Sequence, residues 1–280
     1  MLIIDTHTHV NFNDFKNDAD EVIRRSLSDE TWMILVGSEY KTSKRALEFA
    51  NKYEKGVYAA VGLHPTHVGG GDIKGEDYEF RAREEEFNYD IYEKLARFQK
   101  VVAIGEVGLD YYHLPKDGDI PELKRKQKEV FLSQLNLARE LNIPIIIHCR
   151  QAHDDMIEIL TEFKKENKEK FIDGEPWGVM HCFSGDEDLA WKYFSLGLYI
   201  SFTGLITFSK QWDDLIRKMP SERFMIETDA PYMTPEPYRG KRNEPVLVTY
   251  VAKRIAEIKN LSFERIAELS TNNARRLFKI

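Results

Sequence analysis

The sequence predicts a single-domain (β/α)8 TIM barrel spanning residues 1–280, an α/β fold, from three observations. The chain has 280 residues, close to the ~250 of one such barrel, although a generic ~150 residues per domain would suggest two. Eight short apolar runs alternate with stretches of helical pattern. His, Glu or Asp recurs near the C-terminal ends of five of those runs, the end at which barrels of this class assemble their sites. A doubly wound open sheet is the runner-up.

In chain order, strands are expected at 2–9, 31–38, 57–64, 101–110, 143–150, 178–184, 198–207 and 224–230. Their cores are nearly continuous apolar segments such as Met33-Ile34-Leu35-Val36, Val101-Val102-Ala103-Ile104 and Ile145-Ile146-Ile147. Such runs mark strands covered on both faces. Helices are expected between them, among them 19–27, 41–53, 123–141 and 156–164. Two more, 246–258 and 262–278, close the chain. Asn243 before Glu244-Pro245 reads as the cap of the first of these, with Pro in its first turn. Two insertions stand out as surface loops or loop-plus-helix excursions. One is 66–92, opening on a triple glycine and rich in acids and tyrosines. The other is 164–177, lysine-rich and turning at Asp173-Gly174.

Composition excludes several classes. Apolar residues make up 42% and charged residues 31% of the chain, an ordinary globular balance. Lys plus Arg, 40, against Asp plus Glu, 47, leaves a net charge of −7, which argues against coating duplex DNA through a broad basic face. It leaves room for a phosphate-bearing substrate served by bound cations and a few placed arginines. No window approaches ~18 uninterrupted apolar residues, so no membrane partner is expected. Met1-Leu2-Ile3-Ile4-Asp5 has no basic region or signal-peptide core, and a cytoplasmic location is expected. The two cysteines, Cys149 and Cys182, are too few for a disulfide framework and suit a reducing compartment.

The chemistry lies at the strand ends. His7 and His9 share one face of the first strand, because side chains alternate. Glu106 and Asp110 follow the apolar run 101–104, where an unpaired carboxylate is costly to bury. His148 and Arg150 share a face, with Cys149 on the other. His181 has the same phase, with Cys182 turned away. Glu227 and Asp229 share a face of the last strand. Four histidines and two carboxylates exceed the needs of one tetrahedral ion. They match two divalent cations sharing a bridging carboxylate, a pair that clamps the entering and leaving oxygens of a displacement. Nitrogen with carboxylate oxygen suits zinc or manganese, with nickel or iron as further options, while all-oxygen sites would favour magnesium or calcium; the expected cofactor is two divalent ions per subunit, zinc, manganese, magnesium or similar. Asp5 and Glu227 lie one layer deeper, placed to support His9 and Asp229 or to pair with each other. Tyr111, Tyr112, Phe183 and Tyr232 fall at the rim, where packing and base stacking are both open to them.

The segments Asp5-Thr6-His7-Thr8-His9, Gly62-Leu63-His64-Pro65, Gly105-Glu106-Val107-Gly108-Leu109-Asp110, Ile147-His148-Cys149-Arg150, His181-Cys182-Phe183-Ser184-Gly185, Glu227-Thr228-Asp229-Ala230-Pro231-Tyr232 and Arg239-Gly240-Lys241-Arg242-Asn243-Glu244-Pro245 closely resemble the TatD family of metal-dependent deoxyribonucleases. The match runs over nearly the whole chain. It implies a (β/α)8 metal hydrolase of the amidohydrolase-like group, acting on DNA, including 3′→5′ removal of nucleotides from single strands or 3′ ends. It implies that His7, His9 and Asp229 hold one ion, His148 and His181 the second, and that Glu106 bridges them. It places His64 and Arg150 at the mouth and the loop 239–242 beside it, so His64, Arg150 and Arg242 are the expected substrate contacts. Arginine suits phosphate because its planar fork binds two oxygens at once. Asp229, with Glu106, is the expected catalytic carboxylate, a ligand that also accepts the water proton. The competing reading is an amide or carboxylic-ester hydrolase, aminoacyl esters included. Many such barrels bridge their ions with a modified lysine from the fourth strand, and 101–110 contains no lysine. A non-catalytic metal-binding scaffold is the third reading, disfavoured because all six ligand positions are filled.

Overall fold

The computed structural model describes residues 1–74, 79–115, 119–172 and 174–280. In chain order the strands are β1 (Ile3–Thr8), β2 (Thr31–Val36), β3 (Val57–Val61), β4 (Gly71–Lys74), β5 (Glu79–Ala82), β6 (Val101–Asp110), β7 (Ile145–Arg150), β8 (Gly178–Met180), β9 (Leu198–Phe202) and β10 (Phe224–Ile226). Eight of them form one sheet in the order β1-β2-β3-β6-β7-β8-β9-β10, every pair parallel. The seam between β10 and β1 is bridged by main chain at the strand ends: Asp229 N donates to His7 O at 2.9 Å and His9 N to Ala230 O at 2.7 Å. The fold is the predicted (β/α)8 barrel.

Each strand offers an apolar residue to the barrel interior: Ile4, Ile34, Ala60, Ala103, Ile146, Val179, Tyr199 and Met225 cluster together. Their neighbours in sequence, such as Ile3, Met33, Ile145 and Ile226, belong to the outer core against the helices. The helices are α1 (Ala19–Ser28), α2 (Tyr40–Ala50), α3 (Pro65–Gly69), α4 (Tyr89–Ala96), α5 (Ile120–Leu141), α6 (His153–Glu166), α7 (Glu187–Ser195), α8 (Asp213–Lys218), α9 (Val248–Lys259) and α10 (Phe263–Phe278). Leu277 and Phe278 of α10 join the interior cluster, while Asn273 Nδ2 holds Ser221 O and Phe224 O and Thr271 Oγ1 holds Leu2 O. Those carbonyls start β10 and β1, so α10 plugs the N-terminal end of the barrel. Burying two such side chains contributes about 1.5–3 kcal/mol each. Among the described residues, no helix is long and apolar enough to cross a membrane.

Several expected elements differ in extent. The runs 178–184, 198–207 and 224–230 stop as ladders at Met180, Phe202 and Ile226. Beyond them, residues in the left-handed region, Cys182 (φ 43°) and Asp229 (φ 54°), break the pleat. The insertion 66–92 is not loop alone: α3 leads into the antiparallel pair β4–β5, with Ile73 opposite Phe80, and then into α4. Gly70 makes that turn possible, since its φ is +61° and a Cβ there would lie 2.9 Å from Glu84 N. Residues 75–78 of this insertion lie outside the described residues. In 164–177, Phe171 and Trp177 pack in tilted and edge-on contacts with each other and with Phe163 at 5.0–6.4 Å between ring centroids, so the segment is partly core. Asp173 of its expected turn lies outside the described residues. Asn243 does not cap α9. It is buried, donates to Thr228 O and Tyr232 O, and pins the loop after β10, while Glu244 precedes the 3-10 turn Pro245–Leu247 that leads into α9.

Candidate metal centre

The site begins with a break in strand regularity. Ile4 is interior, so strict alternation along β1 would turn His7 outward to the helices. The register runs Asp5↔Met33 and then Thr8↔Leu35, three steps on β1 against two on β2. This bulge inverts the phase. Asp5 and Thr8 both sit opposite outward residues, and His7 and His9 both enter the barrel. The same device serves β6, where Ile104↔Ile145 is followed by Val107↔Ile147 and Glu106 is the extra residue turned inward. His148 and Arg150 on β7 and Asp110 on β6 then alternate regularly, with Asp110 opposite Arg150.

The six side chains expected as ligands converge at the C-terminal mouth. Glu106 faces two clusters, one with each oxygen. Its Oε2 lies 3.4 Å from His7 Nε2 and 3.7 Å from His9 Nε2, while Asp229 Oδ1 lies 3.3 Å from His9 Nε2 and 3.8 Å from His7 Nε2. Its Oε1 lies 2.9 Å from His148 Nδ1, 3.0 Å from His181 Nε2 and 3.3 Å from His64 Nε2. Three overlapping groups have the spacing to hold a cation: His7, His9 and Asp229; His7, Glu106 and His181; and His64, Glu106 and His148. His7 Nε2 and His9 Nε2 lie 3.2 Å apart, within hydrogen-bond distance and close enough for both to be ligands of one cation. The donor set, imidazole with carboxylate, fits divalent ions of the zinc or manganese type.

Hydrogen bonds orient most of the rings. His9 Nδ1 meets Val36 O at 2.9 Å. His181 Nδ1 meets Glu227 Oε1 at 3.0 Å, and the other Glu227 oxygen accepts from Ser201 Oγ at 2.6 Å. His148 Nε2 meets Asp110 Oδ2 at 3.0 Å. Glu227 therefore supports His181 rather than His9 or Asp229. Asp5 accepts from Thr228 N at 2.8 Å and from its hydroxyl, tying β1 to the chain after β10. The partner of His9 is thus a carbonyl, not Asp5. His7 Nδ1 is buried without a hydrogen-bond partner among the described residues.

Charge is arranged accordingly. Burial opposes the charge on Glu106, but His64, His181 and His148 outweigh it and hold the carboxyl well below the ordinary value. Burial likewise opposes charge on Asp229, where His9 above all, with His181 and His7, keeps it ionised at neutral pH. Burial also works against protonating His148, yet Asp110 and Glu106 push its pKa up to about 9. His64 goes the other way, to about 4, chiefly because it is buried. Burial raises both thiols, Cys149 and Cys182, to about 12. Neither is a ready thiolate ligand, as their outward phase suggests.

The expected substrate contacts fare differently. His64 borders the Glu106 Oε1 cluster, its ring 4.3 Å from that of His148. Its Nδ1 meets Thr66 Oγ1 at 2.7 Å and caps α3. Arg150 lies beside His148 with its guanidinium over the Tyr112 ring, 4.0 Å from the centroid. Arg242 is engaged elsewhere: its fork grips Asp18, it contacts Glu244 at 3.3 Å, and it lies over Phe15. Asp110, noted in the sequence beside Glu106 but given no place among the site residues, is the carboxylate that holds the His148 ring. A carboxylate four residues after Glu106 on the same strand was the available signal.

Comparison with known proteins agrees with this geometry. The family model described as TatD related DNase matches residues 4–279. The chain is 40% identical over 282 residues to the metal-dependent hydrolase YabD of Bacillus subtilis, covering 100% of both chains. It is 33% identical over 286 residues to the metal-dependent hydrolase YcfH of Escherichia coli K12, covering 100% of this chain and 97% of that one. The crystal structure of YJJV, a TatD homologue from Escherichia coli K12, superposes with a TM-score of 0.80 at 29% identity, over 99% of this chain and 98% of that one. The chain belongs to the TatD-related DNase family and is a metal-dependent hydrolase acting on ester bonds.

Proposed function

We propose that the chain hydrolyses DNA phosphodiester bonds, removing nucleotides from the 3′ end of single strands with two divalent cations in the mouth of the barrel. The observation that carries this reading is Glu106, whose oxygens face two different donor clusters. A single carboxylate shared in this way suits a pair of ions, with His7, His9 and Asp229 holding one and His148 and His181 the other. Bound there, cations lower the pKa of water from 15.7 to roughly 7 and offset charge on the phosphoryl and leaving oxygens.

The protein's own groups do the rest. Asp229 lies in the first cluster, 3.3 Å from His9 Nε2, where it would help hold that ion and would be the carboxylate placed to accept the proton of the attacking water. Asp110 and Glu227 lock the rings of His148 and His181 against rotation. His64 and Arg150 border the second cluster on the open side and contact the phosphate. The plugged N-terminal end leaves the mouth as the route for a strand end. The position that carries a modified lysine in many amide hydrolases holds Glu106, which favours the phosphodiester reading over the amide one.

The test is to incubate metal-loaded protein with 5′-labelled single-stranded and duplex oligonucleotides, and with panels of cyclic amides and aminoacyl esters. A single-strand ladder shortening from the 3′ end is the expected result. Turnover confined to the amide or ester panel overturns the proposal.

A further inference from the structure

We propose that Tyr112, with Arg150 stacked on it, forms a nucleotide subsite beside the second cluster, Tyr112 taking a nucleobase on its ring and Arg150 the phosphate of the same residue. The inference rests on the DNA reading above and extends it to a specific position on the rim.

Four observations place this subsite. Arg150 is two residues from His148 on the same face of β7, so its head group rises from the cage wall. Its guanidinium lies 4.0 Å from the Tyr112 centroid, while Tyr112 remains 43% exposed, so part of the ring is open to solvent. That corner is built rather than incidental. Asp110 Oδ1 accepts from Tyr112 N at 3.0 Å and His113 N at 2.9 Å, and its Oδ2 accepts from His113 Nδ1 at 2.6 Å and His148 Nε2 at 3.0 Å. One buried carboxylate therefore sets both the ring of a cage histidine and the turn that carries Tyr112. Next door, Lys124 Nζ sits 4.2 Å over the Tyr111 ring. In a chain of net charge −7, two cations are stationed on consecutive tyrosines at the mouth.

An aromatic face with a cation beside it is the general recipe for binding single strands without reading sequence. It fits a base and its phosphate better than a duplex, whose bases are already stacked. Asp110 ties the subsite rigidly to His148, so a nucleotide seated on Tyr112 has its backbone delivered at a constant offset from the cage.

The experiment uses the full metal-loaded chain, Tyr112→Leu and Tyr112→Phe, with single-stranded oligonucleotides carrying one abasic residue at successive positions from the 3′ end. Steady-state cleavage is read alongside binding by fluorescence anisotropy and metal content. In the parent, one abasic position raises KM and the dissociation constant by about tenfold, the scale of losing one stacked base. Tyr112→Leu raises KM on intact DNA by a similar factor, leaves kcat and metal content near parental, and removes the abasic penalty. Tyr112→Phe restores parental behaviour. A parent that cleaves DNA while Tyr112→Leu keeps the parental KM, or keeps the abasic penalty, overturns this inference alone. A parent that neither binds nor cleaves DNA overturns it together with the proposed function.

Discussion

On one side of Glu106, His9 is steered by a main-chain carbonyl and His7 Nδ1 has no hydrogen-bond partner among the described residues. On the other side, His148 and His181 each lean on a buried carboxylate, Asp110 or Glu227. The first cluster draws its residues from β1 and the chain after β10, across the barrel seam. The second draws them from the continuous wall β6-β7-β8. A carboxylate behind an imidazole fixes the ring and raises its basicity as a ligand, so the second cluster is held in place before any ion arrives. The first depends more on the ion itself and on the seam being closed. The contrast teaches that a barrel can build one half of a paired site into its ladder and leave the other half to the closing strand.

The largest effect should come from removing what both halves share. Chelation should abolish turnover, and Glu106→Gln should lower it by more than the ~10²–10⁴-fold worth of a single general base, with metal analysis showing loss at both clusters. Parental metal content and rate in that variant would break the two-cluster picture. Next in size, Asp229→Asn strikes the first cluster and should cost about 10²–10⁴-fold in kcat if it accepts the water proton. If both metals and full turnover survive, its role as base is wrong. Smaller again, Glu227→Gln loosens the second cluster from behind and should weaken metal affinity about 10–100-fold, as measured by competition with a chelating indicator. An equal loss at the first cluster would erase the asymmetry drawn above. The smallest effect belongs to Arg242→Ala, far from either half in its bonding. Its grip on Asp18 should be worth about 0.2–1 kcal/mol in thermal melts, with KM on DNA unchanged. A tenfold rise in KM would restore Arg242 as a substrate contact.

Local pattern carried much of this. The apolar runs showed eight strands because strands buried on both faces need continuous apolar sequence. The pairing of His7 with His9, and of His148 with Arg150, followed from alternation. Partner choice was not legible in the same way. Glu227 reads in sequence as support for His9 and Asp229 or as a partner of Asp5, and only the folded barrel, in which it reaches past Ser201 of the intervening β9 to the His181 ring, decides for His181. Arg242 reads as a phosphate contact, and its ion pair with Asp18, 224 residues away in sequence, is visible only in the fold. The β4–β5 hairpin escaped notice because one apolar pair, Ile73 opposite Phe80, is too short an alternation to count against its charged neighbours.

The order of apolar and polar residues, by itself, determined the barrel and which side chains populate its C-terminal rim, since periodicity and burial cost act locally along each strand. Tertiary structure decided that those side chains point inward. At His7 and Glu106 the phase set by Ile4 and Ile104 must be inverted by a bulge, and a bulge is a property of two paired strands. It also decided which buried carboxylate stands behind which imidazole, because hydrogen bonds between distant segments form only after the sheet closes.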